Sequence, residues 1–281
     1  GNIYDDLARR DFKMNAIAYN PKTGIVDPFC GSADINNRII SCVGDANVRF
    51  DEDALRILRC FRFAAQLNFK IQAETLSASL SKCKLLENIS CERIFSEIKK
   101  LIMAPDAAII NRLLECGAFE FLDIGKSCLP DYFNNLPQNF YIRLAVLCKI
   151  KSPTLLKPDK KSLRYVNIFR KLFEEAIPSD IISFKKIYGL LEKPLWYDYI
   201  SARRQMGTPC DYISRYIDII ESQNQPYKIS MLDISGNDLM NLGLKGGEIK
   251  SALERLLDIC IENPLLNHRD ILINALTATL K

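Results

Sequence analysis

The sequence predicts a mainly α protein, an elongated multi-helix array with a small β element at its N-terminus. Three observations carry that expectation. From Asp51 onward apolar residues recur at helical spacing. The first ~50 residues instead hold short β-like runs between turn residues, and Pro and Gly breaks keep every predicted helix short. At 281 residues the chain is long for one core and suits two or more packed units.

In order, Ile17-Ala-Tyr19 and Ile25-Val26 flank the turn signal Asn20-Pro-Lys-Thr-Gly24, and Arg38 to Val43 forms another β-like run after Asp34-Ile-Asn-Asn37. Two or three short strands are marginal alone, so they should lean on the helices that follow. Asp51 reads as the N-cap of a helix over 51–67, with Glu52 and Asp53 in its first turn, where the dipole favours acids. At about 100° per residue, Ala54, Ile57, Leu58, Phe61, Ala64 and Ala65 share one side; Glu52, Asp53, Arg56, Arg59 and Arg62 share the other. Further helices are expected from Ala73 to Cys83, from a Ser90 cap to Ile102, and from about Pro105 to a Gly117 stop. Pro- and Asn-rich loops at 129–137 precede a helix over Ile142–Ile150. A basic linker, Lys151 to Lys161, then leads to a helix over Ser162–Ala176. The last unit, Ile234 to Ile249, continues into a helix to about Glu262.

Composition narrows the function. With 48% hydrophobic and 26% charged residues the chain resembles an ordinary globular protein. A net charge of +4 is too small to argue nucleic-acid binding, which has to come from where the basic residues cluster. The single histidine, His268, excludes most His-centred catalysis and a His-rich metal site; it reads as a loop or cap residue. Ten scattered cysteines without a Cys-x-x-Cys pair point to free thiols in a reducing cytosol. No signal-like segment or membrane-length apolar run is visible, so the expectation is a cytoplasmic protein without a membrane partner.

Two stretches carry the chemistry: Asp6 to Ala18, with Arg9-Arg10-Asp11 and Asn15, and Asp51 to Phe63. A carboxylate such as Asp53 accepts from an exocyclic amino group, and a guanidinium such as Arg56 donates to neighbouring ring acceptors. C and A each place an amino group beside a ring nitrogen, so one Asp/Arg pair reads either. The plain alternative is an i,i+3 salt bridge. Arg59 and Arg62, on successive turns, suit phosphate oxygens; otherwise they form a solvated cationic face. Asp11 is expected to orient an arginine. The adjacent Asp5-Asp6 pair diverges, and a metal clamp needs convergent carboxylates. Downstream, Lys160, Lys161, Arg164 and Lys171 lie in the densest basic run, interleaved with Tyr165 and Phe169. They track an RNA backbone or form a solvated face. Gly243-Leu-Lys-Gly-Gly247 before a helix holds one phosphate or is a simple loop.

Both stretches resemble the nucleotide-binding motifs of the class II tRNA nucleotidyltransferases, the CCA-adding enzymes and their relatives the bacterial poly(A) polymerases. Asp27-Pro-Phe-Cys-Gly31 is similar to the family's third motif, a structural turn whose Pro28 and Gly31 set backbone angles. Glu92, Arg93 and Glu97 are similar to its neck motif, and 231–269 to its tail. Lys13 departs from the Thr or Ser common at that position. The resemblance implies that Asp53 and Arg56 act as a protein template selecting CTP and ATP, with Arg59 and Arg62 around the nucleotide and Arg10 on its triphosphate. Asn15, Glu52, Arg93 and Glu97 would support them, with Arg93 and Glu97 able to pair at i,i+4. It also implies four regions: 1–50, the C-terminal edge of the nucleotidyltransferase head; 51–120, the neck; 121–200, the body; and 201–281, a tail that binds tRNA. The family's Mg²⁺ ligands lie upstream of these motifs, so neither a metal ligand nor a catalytic carboxylate is expected here, and the chain alone should be inactive. The implied activity is template-independent addition of CCA, or part of it, to tRNA, with tRNA, CTP and ATP as partners and no DNA. A poly(A) polymerase and a non-catalytic RNA- or nucleotide-binding module are the alternatives.

Overall fold

The computed structural model describes residues 2–122, 124, 128–149 and 152–279. It is mainly α, with four short strands, and divides into two compact units, 1–171 and 172–281.

The first unit opens with α1 (Ile3–Ala8), fixed by a capping box in which Asn2 and Asp5 exchange side chain–backbone bonds. Leu7 packs with Ala16 and Val43, flanked by Ala18, Val26 and Phe29, and this small cluster supports the hairpin of β1 (Ala18–Asn20) and β2 (Gly24–Val26). The expected turn is present: Asn20 accepts from the Lys22 amide at 2.8 Å. Helix α2 (Gly31–Asn37) occupies a stretch that carried no helical signal. Its start is made by Asp27, which accepts from the amides of Gly31 (2.7 Å) and Ser32 (2.9 Å). Burial pushes the Asp27 carboxyl up, but the Ser32 and Gly31 bonds outweigh it and leave the group below its ordinary value.

The role of Gly31 differs from the expected one. The left-handed residue is Cys30 (φ 57°), whereas a Cβ on Gly31 would stand 2.0 Å from the Lys13 carbonyl oxygen. Gly31 is therefore a close-approach glycine. Gly31→Ala should cost about 2 kcal/mol, as overpacking does; an unchanged urea midpoint would show that the backbone yields instead.

Strand β3 (Ile39–Ile40) is shorter than the expected run and pairs in parallel with β4 (Lys70–Ile71). A parallel pair needs a crossover, supplied here by α3 (Ala46–Glu52) and α4 (Leu55–Leu67). The predicted single helix from Asp51 is thus two helices. Asp45 caps α3 through the Asn47 amide, while Asp51 pairs with Lys82 at 2.7 Å. The chain breaks at Asp53, whose backbone is extended (φ −154°, ψ 101°) and whose side chain accepts from the Leu55 amide at 3.1 Å.

Helix α5 (Ala73–Ser81) leads through the 3-10 helix Cys83–Asn88 to α6 (Cys91–Ile102). Ser90 sits at the expected cap position but its side chain makes no cap bond. Helix α6 buries Ile94, Glu97, Ile98, Leu101 and Ile102, the i, i+3, i+4, i+7, i+8 stripe of a core-facing helix, and packs it against α4. Helix α7 (Asn111–Glu115) ends before Gly117 (φ 76°). Asn139 caps α8 (Phe140–Leu147); Ile150 and Lys151, where that helix was expected to end and the linker to begin, lie outside the described residues. Helix α9 (Lys160–Glu174) starts two residues before the expected Ser162 because Asp159 accepts from the Ser162 amide, so Lys160 and Lys161 are helical.

The second unit holds α10 (Ile181–Tyr188), α11 (Lys193–Gln205), α12 (Ile213–Ser222), α13 (Gly236–Asn241), α14 (Gly247–Glu262) and α15 (Arg269–Thr279). Trp196, fully buried, donates to the Tyr188 carbonyl at 2.9 Å and meets Phe184 edge-on. Buried Lys185 donates to the Ile261 carbonyl in the last turn of α14 at 3.0 Å, where the helix dipole favours a cation. Leu239, Leu256, Cys260 and Leu272 form the terminal core. His268 precedes α15 and its carbonyl accepts from Leu272, in keeping with the cap reading.

Candidate nucleotide site

The break at Asp53 makes the site. It turns the start of α4 toward the segment after α1, and between them lies a cleft of about 430 Å³ lined by Arg9, Arg10, Asp11, Asn15, Asp53, Arg56, Arg59 and Phe63. Four arginines face two acids, so the cleft favours a polyanion. Arg10, Asn15, Asp53, Arg56 and Arg59, expected together, are together.

Each cation is held in its own way. Arg59 grips Asp11 with Nε at 2.7 Å and Nη2 at 2.6 Å. Asp11, 7% exposed, also accepts from Asn15 Nδ2 at 3.0 Å and the Phe12 amide. Asp11 thus orients an arginine, as expected, and Asn15 steadies Asp11. Arg56 donates from Nη1 to Glu52 (2.7 Å) and the Arg49 carbonyl (3.2 Å), and from Nη2 to the Arg9 carbonyl (3.1 Å). Among the described residues these bonds use Nη1 and Nη2 and leave Nε for a ligand. The Arg56 hydrogen bond holds the Glu52 carboxyl below its ordinary value. Arg10, about half exposed, meets Asp6 at 2.8 Å and no other acid among the described residues.

The plain alternative of an i,i+3 salt bridge falls away, since the Asp53 and Arg56 side chains do not pair with each other: Asp53 binds Arg93 of α6 at 2.9 Å, which leaves their hydrogen-bonding edges separate. Two expectations need correction. Arg93, bound to Asp53, does not pair with Glu97. Glu97 instead sits against Arg62, with Nε and Oε2 2.6 Å apart and side chains 10% and 6% exposed, a close charge contact rather than an aligned hydrogen bond. Arg62 also lies 3.9 Å from the Phe63 ring centroid and does not line the cleft, because turning into α6 buries its charge beside a carboxylate. Glu92 pairs with Lys157 at 2.9 Å.

Arg49 and Phe63 were not singled out, and Arg9 was given no role of its own beside Arg10. Phe63 is the cleft's aromatic wall, edge-on to Phe12 at 5.9 Å. Arg49 binds Glu52 (2.8 Å) and the Val43 carbonyl (2.9 Å); its position three residues before Glu52 was the available signal. Behind the cleft, burial pushes the Cys42 thiol up to about 11, which makes it a poor nucleophile.

Asp5 and Asp6 serve the α1 cap and the Arg9–Arg10 segment. Among the described residues no three His, Cys, Asp or Glu side chains cluster to hold a metal ion, and the two acids of the cleft, Asp11 and Asp53, are each engaged by an arginine, a donor set that does not fit Mg²⁺. On α9, Lys160, Lys161, Arg164 and Lys171 are all exposed. At about 100° per residue Lys160, Arg164 and Lys171 fall on one face and Lys161 off it. Arg164 and Lys161 stand 5.6 and 6.0 Å from the Tyr165 ring centroid. The Gly243–Gly247 segment lines a separate cleft of about 590 Å³ with Ser251 and Arg255. No helix among the described residues is long and apolar enough to cross a membrane.

Residues 1–41 match the family described as "Poly A polymerase head domain", and 68–123 the one described as "Probable RNA and SrmB- binding site of polymerase A". The CCA-adding enzyme of Streptococcus thermophilus is 38% identical over 291 residues, covering 96% of this chain and 70% of the relative. That of Staphylococcus epidermidis is 30% identical, covering 100% and 74%. The fold is similar to a Bacillus stearothermophilus CCA-adding enzyme in complex with CTP (TM-score 0.80, 24% identity, 99% of this chain and 75% of that one). It is also similar to a Thermotoga maritima CCA-adding enzyme complexed with tRNA (TM-score 0.63, 23% identity, 99% and 74%).

Proposed function

The chain belongs to the CCA-adding enzyme family, and from that premise we propose that the Arg9–Phe63 cleft is where CTP and ATP are chosen for addition to the tRNA 3′ end. The carrying observation is the separation of Asp53 from Arg56. Each keeps an edge for the base because its own partner, Arg93 or Glu52, comes from outside the pair. Asp53 accepts the exocyclic amino group shared by C and A, and Arg56 donates to the ring acceptor beside it. Arg10 and Arg59 receive the triphosphate. Glu52 and Arg93 hold the template, while Arg62 and Glu97 tie α4 to α6. The test is calorimetric titration of the chain with each nucleoside triphosphate: CTP and ATP should bind measurably more tightly than UTP and GTP. Equal affinities would sink the template.

The family's reaction joins a nucleotide to an RNA 3′ hydroxyl and releases pyrophosphate, and nucleotidyltransferases of this kind use Mg²⁺. The described residues do not form a site for that metal. The chain by itself is therefore expected to bind nucleotide without joining it. Incorporation of labelled CTP or ATP into tRNA lacking its CCA end, by highly purified chain, would overturn that expectation.

In this reading residues 1–50 are the edge of the head, 51–120 the neck, 121–200 the body and 201–281 the tRNA-binding tail. These are functional regions rather than packing boundaries, since 50/51 falls inside α3 and 200/201 inside α11. All ten cysteines are free, which suits the reducing cytoplasm proposed for the protein. Lys160, Lys161, Arg164 and Lys171 track the tRNA backbone. Each neutralised phosphate releases counterions, so removing one cation should lower the log–log salt slope of tRNA affinity by about one unit or less. Weakening should be alike for different tRNA sequences. A four-site charge-removal variant with unchanged slope and affinity would return these residues to the solvated surface.

A further inference from the structure

We propose that Cys83 and Cys116 form a redox-reversible dithiol, a site that a peroxide oxidises to a disulfide within the chain. Cys83 opens the 3-10 helix after α5, and Cys116 follows α7, 33 positions later. Their sulfurs stand 2.8 Å apart, so closure to a bond of about 2.05 Å needs only a small shift. The fold holds both thiols in place: Cys83 Sγ donates to the Cys116 carbonyl at 3.6 Å and Cys116 Sγ to the Leu113 carbonyl at 3.3 Å. Nothing in the nucleotide cleft uses either one.

Access assigns the order of events. Cys83 is 2% exposed, whereas Cys116 is partly open, so the peroxide meets Cys116. The Cys116 thiolate takes one peroxide oxygen, the O–O bond breaks, hydroxide leaves and a sulfenic acid remains. Cys83 sulfur then displaces the sulfenic oxygen as water, its own proton completing that water. In sum, two thiols and one hydrogen peroxide give one disulfide and two waters. Burial and the adjacent Cys83 push the Cys116 thiol up to about 12, so thiolate is scarce at neutral pH and sustained rather than brief oxidant is required.

The closed loop would contain α6, and with it Arg93 and Glu97, the partners of Asp53 and Arg62. Cross-linking limits the unfolded states of that loop and staples the helix that supports the template.

The experiment treats the chain, with the exposed thiols removed as Cys30→Ser and Cys128→Ser, with hydrogen peroxide and maps it under non-reducing conditions. The expected result is a Cys83–Cys116 peptide 2 Da lighter than the sum of its two halves, lost on adding dithiothreitol, with the oxidised chain melting several degrees above the reduced one. Cys83→Ala and Cys116→Ala should each abolish the cross-link and the rise. Should either variant fail to fold, the map of the parent decides alone. Cys116 recovered as sulfinic acid, or a map without the linked peptide after prolonged oxidation, would overturn the proposal.

Discussion

Replacing Arg143 with methionine should destabilise the first unit by about 3–5 kcal/mol, the range for leaving buried charged-group partners unmet. Arg143 is 0% exposed and sits in the apolar α8. Its guanidinium donates to five carbonyls: Pro137 (3.1 Å), Ile102 (2.8 Å), Ala104 (3.4 Å), Asn134 (3.2 Å) and Leu136 (2.9 Å). Burial pulls its pKa below the usual arginine value, yet an arginine stays charged throughout the accessible range. Methionine fills similar volume but strands these oxygens; among the described residues outside the helices' own bonds only the Pro137 carbonyl has another donor, the Asn139 amide. Arg143→Lys should recover part of the loss, since a point ammonium reaches two or three of the five. Chemical unfolding followed by far-UV circular dichroism measures the effect. Trp196 lies in the second unit, so its fluorescence follows that unit separately. A dichroism midpoint equal to the parent's would mean that water satisfies the carbonyls and the arginine is dispensable.

Arg56→Ala, made in the active enzyme, should relax base choice by up to about 3 kcal/mol, roughly 150-fold, the upper worth of a good two-point base contact. Arg56 is anchored on Glu52, the Arg49 carbonyl and the Arg9 carbonyl, and its side chain is 17% exposed, so it meets a base edge without searching for its pose. Removing it leaves Arg10 and Arg59 for the phosphates. Consequently kcat/KM for UTP and GTP should rise relative to CTP and ATP, while affinity for inorganic triphosphate should hold. Glu52→Gln, which loosens the anchor and keeps the guanidinium, should give a smaller change in the same direction. An unaltered nucleotide preference in Arg56→Ala would remove the residue from base selection.

Much of this was legible in the chain itself. Helical spacing marked α4, α5 and α6, because burial of one face imposes a period that any reader of the sequence sees. The Asn20–Gly24 turn marked the hairpin for the same local reason, its backbone angles being set by its own residues. The Arg9-Arg10-Asp11 and Asp53/Arg56 sets, by residue type alone, pointed to a nucleotide and to the family the chain belongs to. Other features lay beyond local pattern. The break at Asp53 competes with an equally good helix start at Asp51, and α3 wins because Phe50 is fully buried and Asp45 caps it. Two-residue strands such as β3 and β4 carry no period to detect, and their parallel pairing is settled only once two helices have returned the chain. Partner choice was likewise tertiary. Arg62 and Arg59 look interchangeable in sequence, yet Arg62 turns to Glu97 on α6 and Arg59 to Asp11 beside the cleft. A charge's role depends on which opposite charge the packing of other elements brings within reach, and spacing along one helix holds no information about that.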